Sequence, residues 1–202
     1  MIAVDSNFLP LLLSYKVDVP EDPNTGKPIE NLQDRIDLLL ERFDEQGETC
    51  IIPTPVLTEF LVFAAGDGKA YLDIIDRNPL FRIRGFDKRA AIELAAIRLK
   101  IQSSLSNRAR KRQTKAETWA KISFDRQIVT IAKVNQVHTI FSDDKGVKTF
   151  AETQKIKVVR TFELPQRPID EQMTFEELMS AISVEDQKPK ATDEGGPSES
   201  GS

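Results

Sequence analysis

The chain has 202 residues, with 28 lysines and arginines against 32 aspartates and glutamates, one histidine, one cysteine and 40% hydrophobic residues. That supplies one sizeable core, and a mean hydropathy of -0.34 is too polar for a membrane protein. The lone Cys50 excludes an internal disulfide and a cysteine-based zinc site, the lone His138 excludes a multi-histidine metal centre, and a net charge of -4 argues against a chain basic all over.

In chain order, the first apolar run is Ile2-Ala3-Val4, which meets Asp5 at once. No positively charged leader region precedes it, and apolar stretches such as Phe60 to Ala65 are too short to span a bilayer, so a cytoplasmic protein is expected. Pro20 to Pro28 is rich in turn residues and reads as a loop. Ile29, Leu32, Ile36, Leu39, Leu40 and Phe43 then recur at helical spacing. A second strand is predicted at Thr49 to Ile52, followed by Thr54 as an N-cap and Pro55 as the first helical residue. Phe81 to Phe86 reads as a third strand, and Ala90 through Ile101 repeat at helical spacing. Val137 to Phe141 and Lys157 to Phe162 complete five strand-like runs. Beyond them, Thr174-Phe175-Glu176-Glu177 has capping-box spacing ahead of a short amphipathic helix through Ile182. The stretch from Glu185 to Ser202 carries almost no apolar residue and is expected to be disordered.

Strands alternating with helices predict an α/β fold in three layers, a central parallel sheet of about five strands with helices on both faces. The expected organisation is a domain over 1–165, a helical extension over 166–184 and a disordered tail over 185–202. In open parallel sheets of this kind, ligands bind beyond the carboxyl ends of the strands.

Those ends carry acids. Asp5 follows the first strand, and Asp143 and Asp144 follow the fourth in Ser142-Asp143-Asp144-Lys145-Gly146. Carboxylates so placed suit Mg²⁺ or Mn²⁺, which prefer oxygen ligands; each acid singly also reads as a helix cap or turn former. Glu59 has Pro55, Val56, Val62 and Phe63 as its helical neighbours, so burial is expected there, and a buried carboxylate is costly unless paired or metal-bound. The alternative puts that helix at an edge with Glu59 in solvent. Around Asp125, among Ile122, Ile128 and Val129, either it or Ser123 is expected to cap a helix running from Arg126 toward Val134, or Asp125 projects from that helix start toward the strand ends.

Together these segments resemble the four motifs of the PIN-domain family of VapC-like ribonucleases. Asp5-Ser6-Asn7 is similar to the first, and Ile52 to Leu61, a strand leading into a helix that carries Glu59, to the second. Asp125 to Ala132 resembles the third, and Ser142-Asp143-Asp144 the fourth, all in family order over about residues 1–165. The resemblance implies a metal-dependent ribonuclease, with Mg²⁺ or Mn²⁺ activating water for attack on an RNA phosphodiester. It makes Asp5, Glu59, Asp125 and Asp144 the catalytic ligand candidates, with Asp143 a fifth ligand or an outer acid, and Ser6, Asn7 and Ser142 in orienting roles. It leaves open an antitoxin-like protein partner, a homodimer, and a role as toxin, RNA-processing factor or defence effector.

The charge is unevenly placed: residues 1–81 hold 6 basic and 15 acidic residues, whereas residues 82–121 hold 12 and 3. Arg108, Arg110, Lys111, Arg112, Lys115 and Lys121 form the main basic cluster, expected to contact RNA phosphates at the rim of the acidic site. This basic segment and the addition beyond residue 165 are longer than a compact VapC-type toxin requires. Two competing functions are a phosphatase using Asp5 as nucleophile, which would want an acid where Asn7 stands, and a catalytically silent RNA- or partner-binding PIN-like module.

Overall fold

The computed structural model describes residues 1–104 and 116–167, apart from the side chains of 102, 104 and 116–122. Five strands form one parallel sheet: β1 (Ile2–Val4), β2 (Cys50–Pro53), β3 (Phe81–Arg84), β4 (Thr139–Phe141) and β5 (Lys157–Val159), in the order β3-β2-β1-β4-β5. The helices are α1 (Leu9–Leu12), α2 (Leu32–Glu45), α3 (Thr54–Ala64), α4 (Gly68–Arg77), α5 (Lys88–Ser104), α6 (Ala116–Val134) and α7 (Lys145–Thr153).

Successive side chains on a strand point to opposite faces, and the inner strands β1, β2 and β4 are apolar at nearly every position because both faces are covered, whereas the edge strand β3 carries Arg82 and Arg84. Ile2, Val4, Cys50, Ile52 and Phe141 join residues of α1 to α4 in one core cluster. Ala3, Ile51, Ile140 and Val158 join residues of α5, α6 and α7 in the other. The expected three layers are therefore present, and residues Met1–Arg167 pack as one unit. Cys50 lies fully buried in the first cluster, where burial pushes its thiol far above the usual range and leaves it no nucleophilic role.

Several boundaries differ from the sequence expectation. The third strand stops at Arg84 rather than Phe86. The fifth stops at Val159, after which Thr161–Glu163 turns as a 3₁₀ helix. Thr54 lies inside α3 rather than capping it, with Pro53 at the cap position and no side-chain bond there. The helix at Leu32 starts after Ile29, which is buried ahead of it. The C-terminal helix expected around Thr174 to Ile182, and the tail, lie outside the described residues.

Strand order fixes where a site can form. The chain runs outward from β1 through β2 to β3 on one side, then returns to place β4 and β5 on the other. Connections leaving β1 and β4 therefore diverge, and the gap between them opens at the carboxyl ends of those two strands. Asp5 follows β1 and Ser142 follows β4, at the same level of the sheet because Val4 pairs with Phe141.

Candidate active site

Asp5 is 3% exposed and is held from both sides. The Ser6 amide donates to Oδ1 at 2.7 Å and the Ser142 hydroxyl donates to Oδ2 at 2.7 Å. The direction of the second bond is forced: Ser142 Oγ accepts the Asp144 amide at 3.1 Å, so its own proton is directed at Asp5. Burial raises the Asp5 carboxyl above its ordinary range, the Ser142 and Ser6 bonds oppose this, and the charges of Asp144 and Glu59 raise it further. Three acids expected together from sequence thus share one electrostatic neighbourhood.

Asp144 caps α7, its Oδ1 accepting the amides of Gly146 at 2.5 Å and Val147 at 3.2 Å. The capping reading is correct for this residue, and it leaves Oδ2 outside those two bonds. Asp125 reaches the same place from α6. A methyl group at Gly146 would collide with Asp125 Oδ2 and stand 2.9 Å from Asp144 Oδ1, so both carboxylates close over the glycine. Contrary to the sequence expectation, Asp125 neither opens nor caps its helix; α6 begins at Ala116, and Asp125 sits within it. A charge near the middle of a helix stays there because it projects to the sheet's open end rather than into the core.

Glu59 departs from the expectation of burial. Pro55 and Val56 are buried, but Glu59 is exposed, with Val62 at 77% and Phe63 at 55% exposure beside it. The apolar stripe thought to bury Glu59 is itself partly on the surface, so Glu59 is solvated at the helix edge while still acting on Asp5.

Asp143 turns the other way. Thr161 donates its amide to Oδ1 at 2.9 Å and its hydroxyl to Oδ2, and Arg160 Nε stands 3.8 Å from Oδ1. Asp144 caps α7 beside Asp125, whereas Asp143 straps the segment after β5 and borders the cavity that Ser6 and Asn7 line. Ser6 is half-buried and Asn7 is exposed, both lining a cavity beside Glu59. Arg108, Arg110, Lys111, Arg112 and Lys115 lie outside the described residues, as does the side chain of Lys121. His138 sits at the opposite, amino end of β4, bonded to Glu48 and Thr139 at 2.9 Å each, and takes no part.

Two contributors were missed by sequence. Gly146 was quoted only as part of a motif, although its missing side chain is what admits Asp125. Arg126, half-buried, is close enough to Asp125 and Arg98 to feel both charges, and burial and Arg98 lower its pKa. A guanidinium next to a motif acid reads from sequence as surface charge.

As arranged, no three His, Cys, Asp or Glu side chains among the described residues converge to grip one ion. The donor chemistry nevertheless suits Mg²⁺ or Mn²⁺: the oxygens come from four elements, and the most buried of them is held ionisable by two donors. Magnesium is usually bound through one or two carboxylates and keeps several waters, so a closed cage is not required.

No family model matches this chain, and no curated protein matches it. Among solved structures it is similar to VapBC2 from Rickettsia felis, crystallised bound to a DNA fragment from its promoter. The identity is 15% and the TM-score 0.48, over 79% of this chain and 98% of that one. A likeness of that size bears on neither activity nor partners.

Proposed function

We propose that this chain is a Mg²⁺- or Mn²⁺-dependent ribonuclease of the PIN type. The observation that carries the reading is the gathering of Asp5, Glu59, Asp125 and Asp144 from four separate elements at the open end of the sheet, around a buried carboxylate. Like charges so placed repel one another unless a cation joins them, and a chain gains nothing in stability by assembling them.

In this reading Asp5, Glu59, Asp125 and Asp144 hold the metal. When bound, the ion lowers the pKa of a water and neutralises charge growing on phosphorus. Ser142 keeps Asp5 ionised and aimed, and the Ser6 amide fixes its other oxygen. Asp144 is oriented by the first turn of α7. Asp143 serves by tying the Thr161 segment rather than as a ligand. Arg126, and the basic segment over 108–115, would position the phosphate backbone. Roles as toxin, processing factor or defence effector, and an antitoxin-like partner, all share this chemistry.

RNA incubated with the protein is expected to be cleaved with Mn²⁺ and left intact in chelator, with Asp125→Asn at least about 100-fold slower, about 3 kcal/mol of transition-state stabilisation. Equal cleavage by the variant, or cleavage without metal, overturns the reading. A silent binding module is the second reading, favoured by the loose spacing of the acids; it predicts RNA binding with no cleavage and no Mn²⁺-dependent rise in Tm.

Gly146→Ala tests the close approach separately. Gly146 is the second residue of α7, where alanine suits the backbone, so stability is expected to hold or rise slightly. The new methyl displaces Asp125, and Mn²⁺-dependent cleavage is expected to fall about 10- to 100-fold, as when a metal ligand loses its orientation. Thermal melts beside cleavage rates check it.

A further inference from the structure

A cavity of about 490 Å³ lies directly against the acidic site, sharing Ser6, Asn7 and Glu59 with it and walled by Pro10, Leu11 and Phe63. We propose that this cavity is a nucleobase subsite, in which a base flanking the scissile phosphate stacks on Phe63. The inference rests on the ribonuclease reading and adds what the enzyme grips besides phosphate.

Three observations carry it. The first is the state of Phe63. A phenylalanine 55% exposed is usually mobile, but here Tyr15 packs on it at 5.3 Å between ring centroids. Tyr15 is itself fixed edge-on to the buried Phe60 and to Tyr71, at 5.9 and 5.1 Å. The cluster anchors Phe63 from behind and leaves much of its surface in the open, as a stacking platform requires.

The second is charge. Asp18 and Glu59 line the cavity, with Asp143, bonded to Thr161, at its wall, and among the described residues no lysine or arginine lines it. Such a wall repels phosphate, so the nucleotide part it accepts is the neutral base, with the backbone kept on the metal side. The carboxylates, acceptors only, favour bases that present amino groups.

The third is continuity. Glu59 and Phe63 are one helical turn apart on α3, so a ligand of the first and a stacking partner of the second lie side by side. Apolar walls with a few polar groups at one end are the usual make-up of a small-ligand site.

The test compares six reactions on one RNA sequence: wild type and Phe63→Ala, each with the intact strand and with an abasic nucleotide placed in turn on each side of the mapped scissile bond. Base stacking on one aromatic is expected to contribute about tenfold in kcat/KM. Wild type should lose about that on one side when the base is removed, whereas Phe63→Ala should be slower on the intact strand by a similar factor and lose less than about twofold further. Phe63→Trp should restore the base dependence, which separates stacking from a folding defect. Equal losses from the abasic substrate in both proteins, or no loss in either, overturn the subsite while leaving the nuclease standing. If wild type does not cleave the intact strand with Mn²⁺, the nuclease reading falls and the subsite with it.

Discussion

Asp5→Asn is expected to move activity and stability in opposite directions. Metal-dependent cleavage should fall by about 10³-fold or more, about 4 kcal/mol in the barrier, because an amide oxygen is a far weaker partner for a divalent cation than a carboxylate. In chelator the same variant should melt higher than wild type by about 2–4 °C, the shift given by about 1 kcal/mol in a chain of this length. The buried carboxylate is destabilised first by loss of water and then by Asp144 and Glu59, and the asparagine is not. Its oxygen still accepts the Ser6 amide, but the Ser142 hydroxyl loses its acceptor, and the shift is the net of that loss and the relieved charge burial.

The pH dependence has a definite sign. The folded-state pKa of Asp5 lies above its ordinary value of 3.8, so between those two values the folded chain binds more protons than the unfolded one. Its contribution to stability is present below about 3.8 and is lost as pH rises through the raised folded value. Wild type without metal should lose stability relative to Asp5→Asn over that interval, and the gap should stay constant above it. Saturating Mn²⁺ should close or reverse the gap, since a ligand bound only by the folded state stabilises by about 2.7 kcal/mol at 100 times its dissociation constant. Melts of both proteins across pH, with chelator and with Mn²⁺, measure each part. A wild-type protein more stable than Asp5→Asn at neutral pH in chelator would show that the carboxylate is not repelled where it stands.

Phe141→Ala should damage both properties together. Phe141 is 5% exposed at the end of β4, with ring centroids 5.1 Å from Phe8 and 5.5 Å from Phe43. Replacing a buried phenylalanine by alanine costs about 3–5 kcal/mol, from lost burial and the cavity left behind. For this chain that is a fall in Tm of about 10 °C. The Phe141 carbonyl also accepts the Asp5 amide at 3.0 Å, and the next residue is Ser142. A collapsing cavity shifts the strand end that sets both, so residual cleavage measured well below the melting point should still be reduced. Urea unfolding together with cleavage at low temperature separates the two losses.

The strands and the acids at their ends were legible in the sequence because both depend on local pattern: short apolar runs, punctuated by helices, the first followed directly by Asp5 and the fourth by Ser142-Asp143-Asp144. The direction of a side chain depended on tertiary context and was not. Asp143 and Asp144 are chemically identical in sequence, and only the hydrogen bonds from Thr161 and from the α7 amides separate a strap from a site acid. Glu59 looked buried because its helical neighbours are apolar; composition does not reveal that Val62 and Phe63 face solvent. The helix carrying Asp125 starts earlier than its capping signals suggested, because Ser123 and Asp125 are equally readable as an N-terminus. The helix at Gly68–Arg77 went unread behind the turn-like Gly66-Asp67-Gly68. Gly146 is intelligible only once two carboxylates are found over it.

The bond from Ser142 to Asp5 joins residues 137 positions apart. Contacts this distant in sequence form late, because a long loop must close before they can reward it. During synthesis the first strand emerges with its aspartate long before Asp125, the fourth strand that holds it, and Asp144 follow in turn. A growing chain of this protein therefore carries an incomplete centre until β4 and the start of α7 have left the ribosome. If the centre cuts RNA as proposed, the parallel topology withholds that activity until translation is nearly done.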